Sequence, residues 1–366
     1  MMQAVGGTQL PELIRRAEKA FGVRLEAPQV LRRGRATVAR ALLATPSGRR
    51  LVIVKQFGAA HRDHFLRERA GLRVLSRTSG LQGLVPRLLA DDAAGLVLLI
   101  DGIVERTPYS DVVFAGDLDL AASTLIETAR RLGILHGSAR FSVSEFRAEV
   151  QAPPSPGAVL RRGMEATLAF LRHALSEEAA SASQLEPGAE AHSQLMDVAN
   201  RVDESDDLFT ITLGDLAPSN LVLGSEGPVF IDLEYCGGRH AFYDAMYWHC
   251  ICPFPAEIVD RMDEAYRAGL GTAGVRISDE QYGAAMLLFM SHRLFWTLSW
   301  NMEPLFQQDR DVIPGVSTRG TICAYLREYL RFSSLLQELE HPSLVSVAHR
   351  LEQRLSRLWS EPTDSH

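Results

Sequence analysis

Two short stretches hold the residues of this chain whose types and spacing could do chemistry. One is Leu213-Gly214-Asp215-Leu216-Ala217-Pro218-Ser219-Asn220, and the other is Val229-Phe230-Ile231-Asp232-Leu233-Glu234. An Asp is followed, after four intervening residues, by an Asn, and a second Asp closes an apolar run soon after. Phosphoryl transfer asks for such a set. One carboxylate orients an acceptor hydroxyl and takes its proton, while an amide oxygen and a second carboxylate hold Mg²⁺ against nucleotide phosphates. Hard oxygen donors suit Mg²⁺, which keeps waters and phosphate oxygens as its other ligands. Loop capping by Asp and Asn is the competing account of the same residues.

Composition sharpens the choice. The chain has 366 residues, 46% of them apolar and 23% charged, which excludes a wholly disordered protein and leaves material for a core. That length fits one very large domain or two to three lobes. The 38 basic and 45 acidic residues leave a net charge of -7, a poor basis for nucleic-acid binding, which needs clustered cations. Only two of the 38 basic residues are lysines, Lys19 and Lys55, and only three asparagines occur, Asn200, Asn220 and Asn301. In a chain that otherwise uses Arg, a retained Lys marks a place where a compact ammonium is wanted. Four cysteines are too few for a disulfide scaffold. No apolar run nears the length of a membrane span, and the first residues lack the apolar core of a signal peptide, so the expected location is the cytoplasm, with no membrane partner.

The elements that must position these residues follow from periodicity. Residues 10–20 read as an amphipathic helix, and 28–57 as three strands with a Pro-Ser-Gly turn at 46–48. Residues 62–77 have helical spacing, and 95–103 read as a buried strand. From there the chain turns helical, with candidates at 117–136, 158–180 and 189–203. Short strands fall around 209–212, 220–223 and 229–232, and helices resume from 255. The Pro-rich stretch 151–157 reads as a break, and the acidic run 203–207 as a solvated loop. A C-terminal face of Leu344, Val347, Leu351, Leu355 and Leu358 packs on its own lobe or makes a dimer contact, so monomer and homodimer both stand.

The D-x4-N motif followed by I-D-x-E resembles the catalytic and metal loops of the aminoglycoside phosphotransferase family, within the protein-kinase-like superfamily and related to choline and ethanolamine kinases. The resemblance implies an α+β, two-lobed kinase-like fold. It gives a small antiparallel-sheet lobe at 1–101 that binds nucleotide. A larger helical lobe at 102–366 carries the catalytic and metal loops and the acceptor pocket. It implies Asp215 as catalytic base and Asn220 and Asp232 as Mg²⁺ ligands. ATP would be held by Lys55 on the third strand, by Glu68 as its partner on the next helix, by Gly34 at the phosphate loop, and by the hinge at Asp101 and Ile103. The cofactors are then ATP and Mg, with GTP left open, and the activity is transfer of the γ-phosphate to a hydroxyl of a small molecule.

The match runs over roughly residues 28–300 and includes Val85–Leu89, a helix ending at Leu132–His136, and Asp244, which resembles the Asp that closes the metal-loop region. It departs from the family at Leu213, where a His is usual, and at Arg33–Thr37, which has one glycine and no GxGxxG. Choline kinases carry a segment similar to Ser291–Trp300 and an I-D-F-E-Y similar to Ile231–Tyr235. Trp296 and Trp300 share a helix face and read either as core packing or as the wall of a pocket for a cationic acceptor, with Glu234 as an acidic wall residue. His136, His249, Cys250, Cys252 and Cys236 read as buried structural residues. An amino-alcohol kinase is the alternative within this reading. A catalytically weak nucleotide-binding regulatory protein on the same fold is the alternative outside enzyme function. A protein kinase fits less well, since Glu234 stands where D-F-G has Gly and no A-P-E segment follows.

Overall fold

The computed structural model describes residues 10–32, 34–104, 107–114, 118–150, 156–176, 188–204, 207–250, 254–313 and 316–360. Contacts divide the chain into two compact units, one formed by Met1–Ala152, Leu208–Gly238 and Arg261–Val275, the other by Pro153–Asp207, Arg239–Asp260 and Arg276–His366. The lobe boundary expected at residue 101 falls inside the first unit. The N-terminal region is an antiparallel sheet and the C-terminal region is helical, so the fold is α+β.

In the first unit, β1 (Leu25–Arg32), β2 (Ala36–Thr45), β3 (Gly48–Phe57), β4 (Leu88–Asp92) and β5 (Val97–Asp101) form one sheet in the order β1-β2-β3-β5-β4. Each of its four pairings is antiparallel. Gly48, at φ 129°, closes the turn from β2 to β3, a conformation that a side chain would oppose. Strand periodicity then gives each face its task. Val52, Val54, Ala39, Ala41, Val97 and Leu99 pack with Leu13, Ile14 and Ala17 of α1 (Leu10–Phe21). The alternate residues Leu51, Ile53 and Lys55 line a cavity on the other face, with Val38, Arg40 and Ile100 from the neighbouring strands. The helix after β3, α2 (Arg62–Leu75), buries Phe65, Leu72 and Leu75.

Further along, α3 (Tyr109–Phe114), α4 (Leu118–Ala139) and α5 (Val143–Glu149) precede a short strand β7 (Phe209–Thr212) and a hairpin. The hairpin strands β8 (Leu221–Gly224) and β9 (Gly227–Phe230) pair with each other and with β6 (Thr107–Pro108). The first begins and ends one residue later than the strand that the sequence predicts, and the second two residues earlier. His136 accepts Thr210 Oγ1 at its carbonyl, 2.7 Å away, and its Nδ1 lies 3.0 Å from Tyr266 Oη, so it is structural as expected. Gly133 and Gly269 let α4 lie directly against α10 (Ala256–Thr272), whose residues from Arg261 onward belong to this unit. A Cβ at Gly133 would fall 2.1 Å from the Tyr266 carbonyl oxygen, and one at Gly269 would fall 2.1 Å from that of Arg130.

The second unit is built on α6 (Pro156–Ser176), α7 (Ala189–Arg201), α11 (Asp279–Gln307), α12 (Thr318–Ser334) and α13 (Pro342–Ser360), with the short α8 (Phe242–Ala245) and α9 (Tyr247–Cys250). Thr167 Oγ1 of α6 donates to the Phe295 carbonyl of α11 at 3.2 Å. Gln194 Oε1 of α7 accepts the Ser343 and Leu344 amides and so caps α13. Leu344, Val347, Leu351 and Leu355 are buried, whereas Leu358 is exposed. His249 is buried and sits 3.0 Å from Glu328, which also takes Arg331. The Cys250 thiol is pushed up to about 12 by burial, and Cys252 lies outside the described residues. No helix among the described residues is long and apolar enough to cross a membrane.

Two outcomes follow from this packing. Gly133→Ala forces α4 and α10 apart and lowers unfolding free energy by about 2 kcal/mol, read by denaturant titration. Burial works to raise the Glu328 carboxyl, but the hydrogen bonds from Arg331 and His249 outweigh it and hold it at about 2, against an ordinary 4.5. A depressed carboxyl stabilises the fold above its unfolded value and loses that stabilisation as pH falls through its folded one. The stability gap between the native chain and Glu328→Gln therefore narrows by about 2 kcal/mol, allowing for solvent screening, as pH drops from about 4.5 to about 2.

Candidate active site

The site grows from β3. Lys55 points off the cavity face and is 3% exposed. Its ammonium lies 2.5 Å from Glu68 Oε2, 2.5 Å from Asp232 Oδ1 and 3.6 Å from Glu234 Oε2, and 4.8 Å from the centre of the Phe57 ring. The pairing of strand lysine and helix glutamate is therefore present, and it is buried. One oxygen from each of Glu68, Asp232 and Glu234 lies within 4.8 Å of the others.

Around this ammonium Glu68 and Asp232 shift in opposite directions. Glu68 is pushed up to about 7, because burial and the charges of Asp232 and Glu234 outweigh Lys55. Burial also works to raise Asp232, but the charge and hydrogen bond of Lys55, with Arg32 behind it, hold it below the usual carboxylate range. Burial works to lower Lys55, and the charges of Glu68, Asp232 and Glu234 more than offset it, so the ammonium stays charged.

The two loops quoted at the outset are stitched together by backbone. Gly214, at φ 81°, turns the chain into Asp215. Asp215 Oδ1 accepts the Ala217 amide at 3.2 Å, and Asn220 Nδ2 donates to the Asp215 carbonyl at 3.2 Å. The Ile231 amide donates to the Asn220 carbonyl at 2.9 Å, and the Phe230 amide to Leu84 at 2.9 Å. Arg131 of α4 holds the hairpin between the loops through the Glu226 carbonyl and the Pro228 carbonyl, the latter at 3.1 Å. Asp232 itself sits at φ 62°, a left-handed conformation uncommon for a side-chain-bearing residue and concentrated at functional sites. Leu213 is buried, and so is Cys236, which packs beneath Gly71 of α2.

The cavity has a volume of about 600 Å³, in the range of small-molecule sites. Leu31, Val38, Leu51, Ile53, Ile100 and Ile103 supply apolar wall, and Lys55, Glu68 and Asp232 lie on its charged side. At its edge Asp101 takes Arg50, Nε to Oδ1 at 2.7 Å, and the Gly102 amide donates to Leu51 at 3.0 Å. A Cβ at Gly102 would fall 2.8 Å from the Leu51 backbone, so glycine is what brings the segment this close to β3.

Of the residues singled out in the sequence, Lys55, Glu68, Asp101, Ile103, Asp215, Asn220, Asp232 and Glu234 all fall in the first unit, around this cavity and the loops beside it. Gly34 is exposed at the turn from β1 to β2 with open space around it. Asp244, Trp296 and Trp300 belong to the second unit. Asp244 is buried in α8. Trp296 lies on α11 with its ring against Gly163 of α6, 3.0 Å from where a Cβ there would stand. The Trp300 side chain is outside the described residues. The sequence reading missed Arg32 and Arg35. Arg32 Nη1 lies 2.9 Å from Asp232 Oδ2, and Arg35 Nε lies 3.2 Å from Glu234 Oε1. The dense run of arginines beside Gly34 was the available signal.

The donors suit Mg²⁺. Asn220 and Asp232 offer hard oxygens, and Glu234 Oε2 is buried without a hydrogen-bond partner among the described residues, so negative charge here exceeds what hydrogen bonding satisfies.

The model of the phosphotransferase enzyme family (APH) matches residues 31–281, which include both loops and the residues that line the cavity. The chain belongs to this family. Among solved structures this family member is similar to the gentamicin–APH(2″)-IIa complex, with a TM-score of 0.52 and 11% identity over 93% of this chain and 99% of that one. It is similar to LicA in complex with AMP, with a TM-score of 0.50 and 15% identity over 93% and 100%. A choline/ethanolamine kinase family protein from Mesorhizobium loti gives a TM-score of 0.50 and 14% identity over 88% and 92%. At these identities the likeness is one of fold. A search of curated proteins gives no match.

Lys55→Met leaves three carboxylates clustered without their ammonium. At a pH above the Glu68 value of about 7, it lowers unfolding free energy by about 3 kcal/mol in denaturant titrations, the scale for a buried charge stripped of its partner. Adding Glu68→Gln recovers part of that loss, and the loss narrows as pH falls and the carboxylates take up protons.

Proposed function

We propose that this phosphotransferase family member is an ATP- and Mg²⁺-dependent kinase of a small-molecule hydroxyl. The observation that carries the reading is Lys55, buried on β3 and ion-paired at once to Glu68 of α2 and to Asp232 of the second loop, beside a cavity of nucleotide size. Asn220 and Asp232 would hold Mg²⁺, which when bound would neutralise charge on the nucleotide phosphates. Lys55 binds the phosphates and Glu68 keeps its ammonium in place. The apolar wall beside Asp101 and Ile103 takes the base, and Gly34 lies at the phosphate end. Asp215 orients the acceptor hydroxyl and accepts its proton, so catalysis is positioning and charge stabilisation. The nucleotide lobe is residues 1–101, and the acceptor pocket is built by the helical part, with Asp244, Trp296 and Trp300 as its candidate residues.

Acceptors worth testing are those of the similar folds, aminoglycosides and amino alcohols, since one similar structure holds gentamicin and another belongs to the choline/ethanolamine kinases. Among the described residues, Cys250 and Cys323 are buried free thiols, in keeping with a cytoplasmic location and its reducing chemistry. The experiment is ADP release with Mg·ATP across a panel of aminoglycosides, choline, ethanolamine and sugars. Asp215→Asn lowers acceptor-dependent turnover by at least about a hundredfold, the scale of a general base, and leaves nucleotide affinity within a few-fold. Nucleotide binding with no acceptor-dependent release across the panel supports a regulatory module on this fold instead.

A further inference from the structure

We propose that Arg32 and Arg35 form a transferable charge clamp: they pair with Asp232 and Glu234 when the nucleotide site is empty, and move to the polyphosphate when metal and nucleotide arrive. The inference rests on the nucleotide-binding reading above and names the residues that take the phosphates where a glycine-rich loop would.

The geometry is specific. Arg32 ends β1 and Arg35 immediately precedes β2, so both stand at the hairpin that borders the cavity. Arg32 and Asp232 are both cavity-lining, and Arg35 reaches Glu234 from the same turn. Arg35 also donates from Nη1 to Tyr235 Oη, and its guanidinium lies 5.1 Å from the centre of that ring. The arginine side chains are 47% and 44% exposed, while those of their partners are 12% and 2% exposed. The carboxylates are therefore fixed, and the guanidinium groups have solvent-side room to rotate.

Charge decides what the pairs mean. Above the Glu68 value of about 7, Glu68, Asp232 and Glu234 bring three negative charges, and Lys55, Arg32 and Arg35 bring three positive ones. The two arginines supply the same charge as one divalent cation. A cation held by Asp232 makes both redundant there, and a guanidinium released from a carboxylate is suited to phosphate, which offers the same bidentate geometry and more charge. With one exposed glycine in this turn, backbone amides alone are a thin cradle. The exchange needs only side-chain rotation, and no bond is made or broken.

The test uses the full chain and three variants, Arg32→Ala/Arg35→Ala, Arg35→Gln and the control Arg49→Ala, each checked for an unchanged fold by circular dichroism. Calorimetry gives the affinity for ADP in EDTA, and electron paramagnetic resonance of Mn²⁺ gives metal affinity without nucleotide. The double variant binds ADP more weakly by about tenfold or more, the worth of one charge-assisted hydrogen bond. It binds Mn²⁺ about tenfold more tightly, because the metal no longer displaces two cations. Arg35→Gln moves both affinities the same way by less, and Arg49→Ala moves neither. ADP affinity unchanged in the double variant overturns the phosphate role, and Mn²⁺ affinity unchanged or weakened overturns the counter-ion role. A native chain that binds no nucleotide at all overturns the nucleotide-binding reading itself, a result distinct from either.

Discussion

A single buried ammonium shared by three carboxylates is the constraint on which the first unit depends. Lys55 can reach Glu68, Asp232 and Glu234 together only if β3, α2 and the loop after β9 converge to within a few ångströms. The partners come from two distant parts of the chain, Glu68 from α2 and Asp232 with Glu234 from the loop after β9. Burying this many charges is costly, and the cost is met only where all partners arrive. The surrounding architecture reads as the means of that convergence. Alternation along β3 sends Val52 and Val54 to the apolar core and Lys55 to the opposite face. Gly71 lets α2 approach the turn at Leu233–Cys236, where a side chain would collide with the Cys236 sulfur.

The same economy governs the two loops around Asp215 and Asp232. They are separated by a hairpin too short to hold itself rigid, since an isolated pair of short strands is marginal. Rigidity comes from outside it. Arg131 reaches from α4 to the carbonyls at the hairpin tip, β6 adds a third strand, and the Ile231 amide ties directly to Asn220. Helix α4 is itself fixed by glycines that allow backbone contact with α10. The helix that carries Leu132 to His136 thus helps hold the hairpin between the two loops in place.

Much of the site was legible in the sequence because its chemistry demands particular residues at short spacing. Asp215, Asn220 and Asp232 could be picked out from local order alone, and Lys55 from the scarcity of lysine. Glu68 came from the family resemblance, as the partner of Lys55 on the helix after the third strand. The sequence did not reveal what Glu234 touches. Glu234 reads as a wall of the acceptor pocket, yet its carboxyl turns toward Lys55, in a loop where Asp232 takes a left-handed backbone conformation. Arg32 and Arg35 were hidden for a different reason. Their partners lie about two hundred residues away, and an arginine at a hairpin tip is by default a solvated one. Trp296 shows the limit of helical spacing, which tells that two residues share a face but not that Gly163 is what the face meets.

Arginine at the β1–β2 turn is coherent with the rest of the site. A glycine-rich loop offers neutral amides, whose dipoles serve a phosphate but do little for an empty site. Here the site holds two more carboxylates than Lys55 can neutralise, in surroundings where unpaired charge is expensive. Glu234 in particular is almost fully buried, and one of its oxygens has no hydrogen bond among the described residues. Neutral amides would leave that charge uncompensated until a cation entered. Cationic side chains on the loop resolve the difficulty, since the same groups that balance the carboxylates before binding can balance phosphates after it. The departure from a glycine motif and the surplus of buried acid are thus two sides of one electrostatic solution.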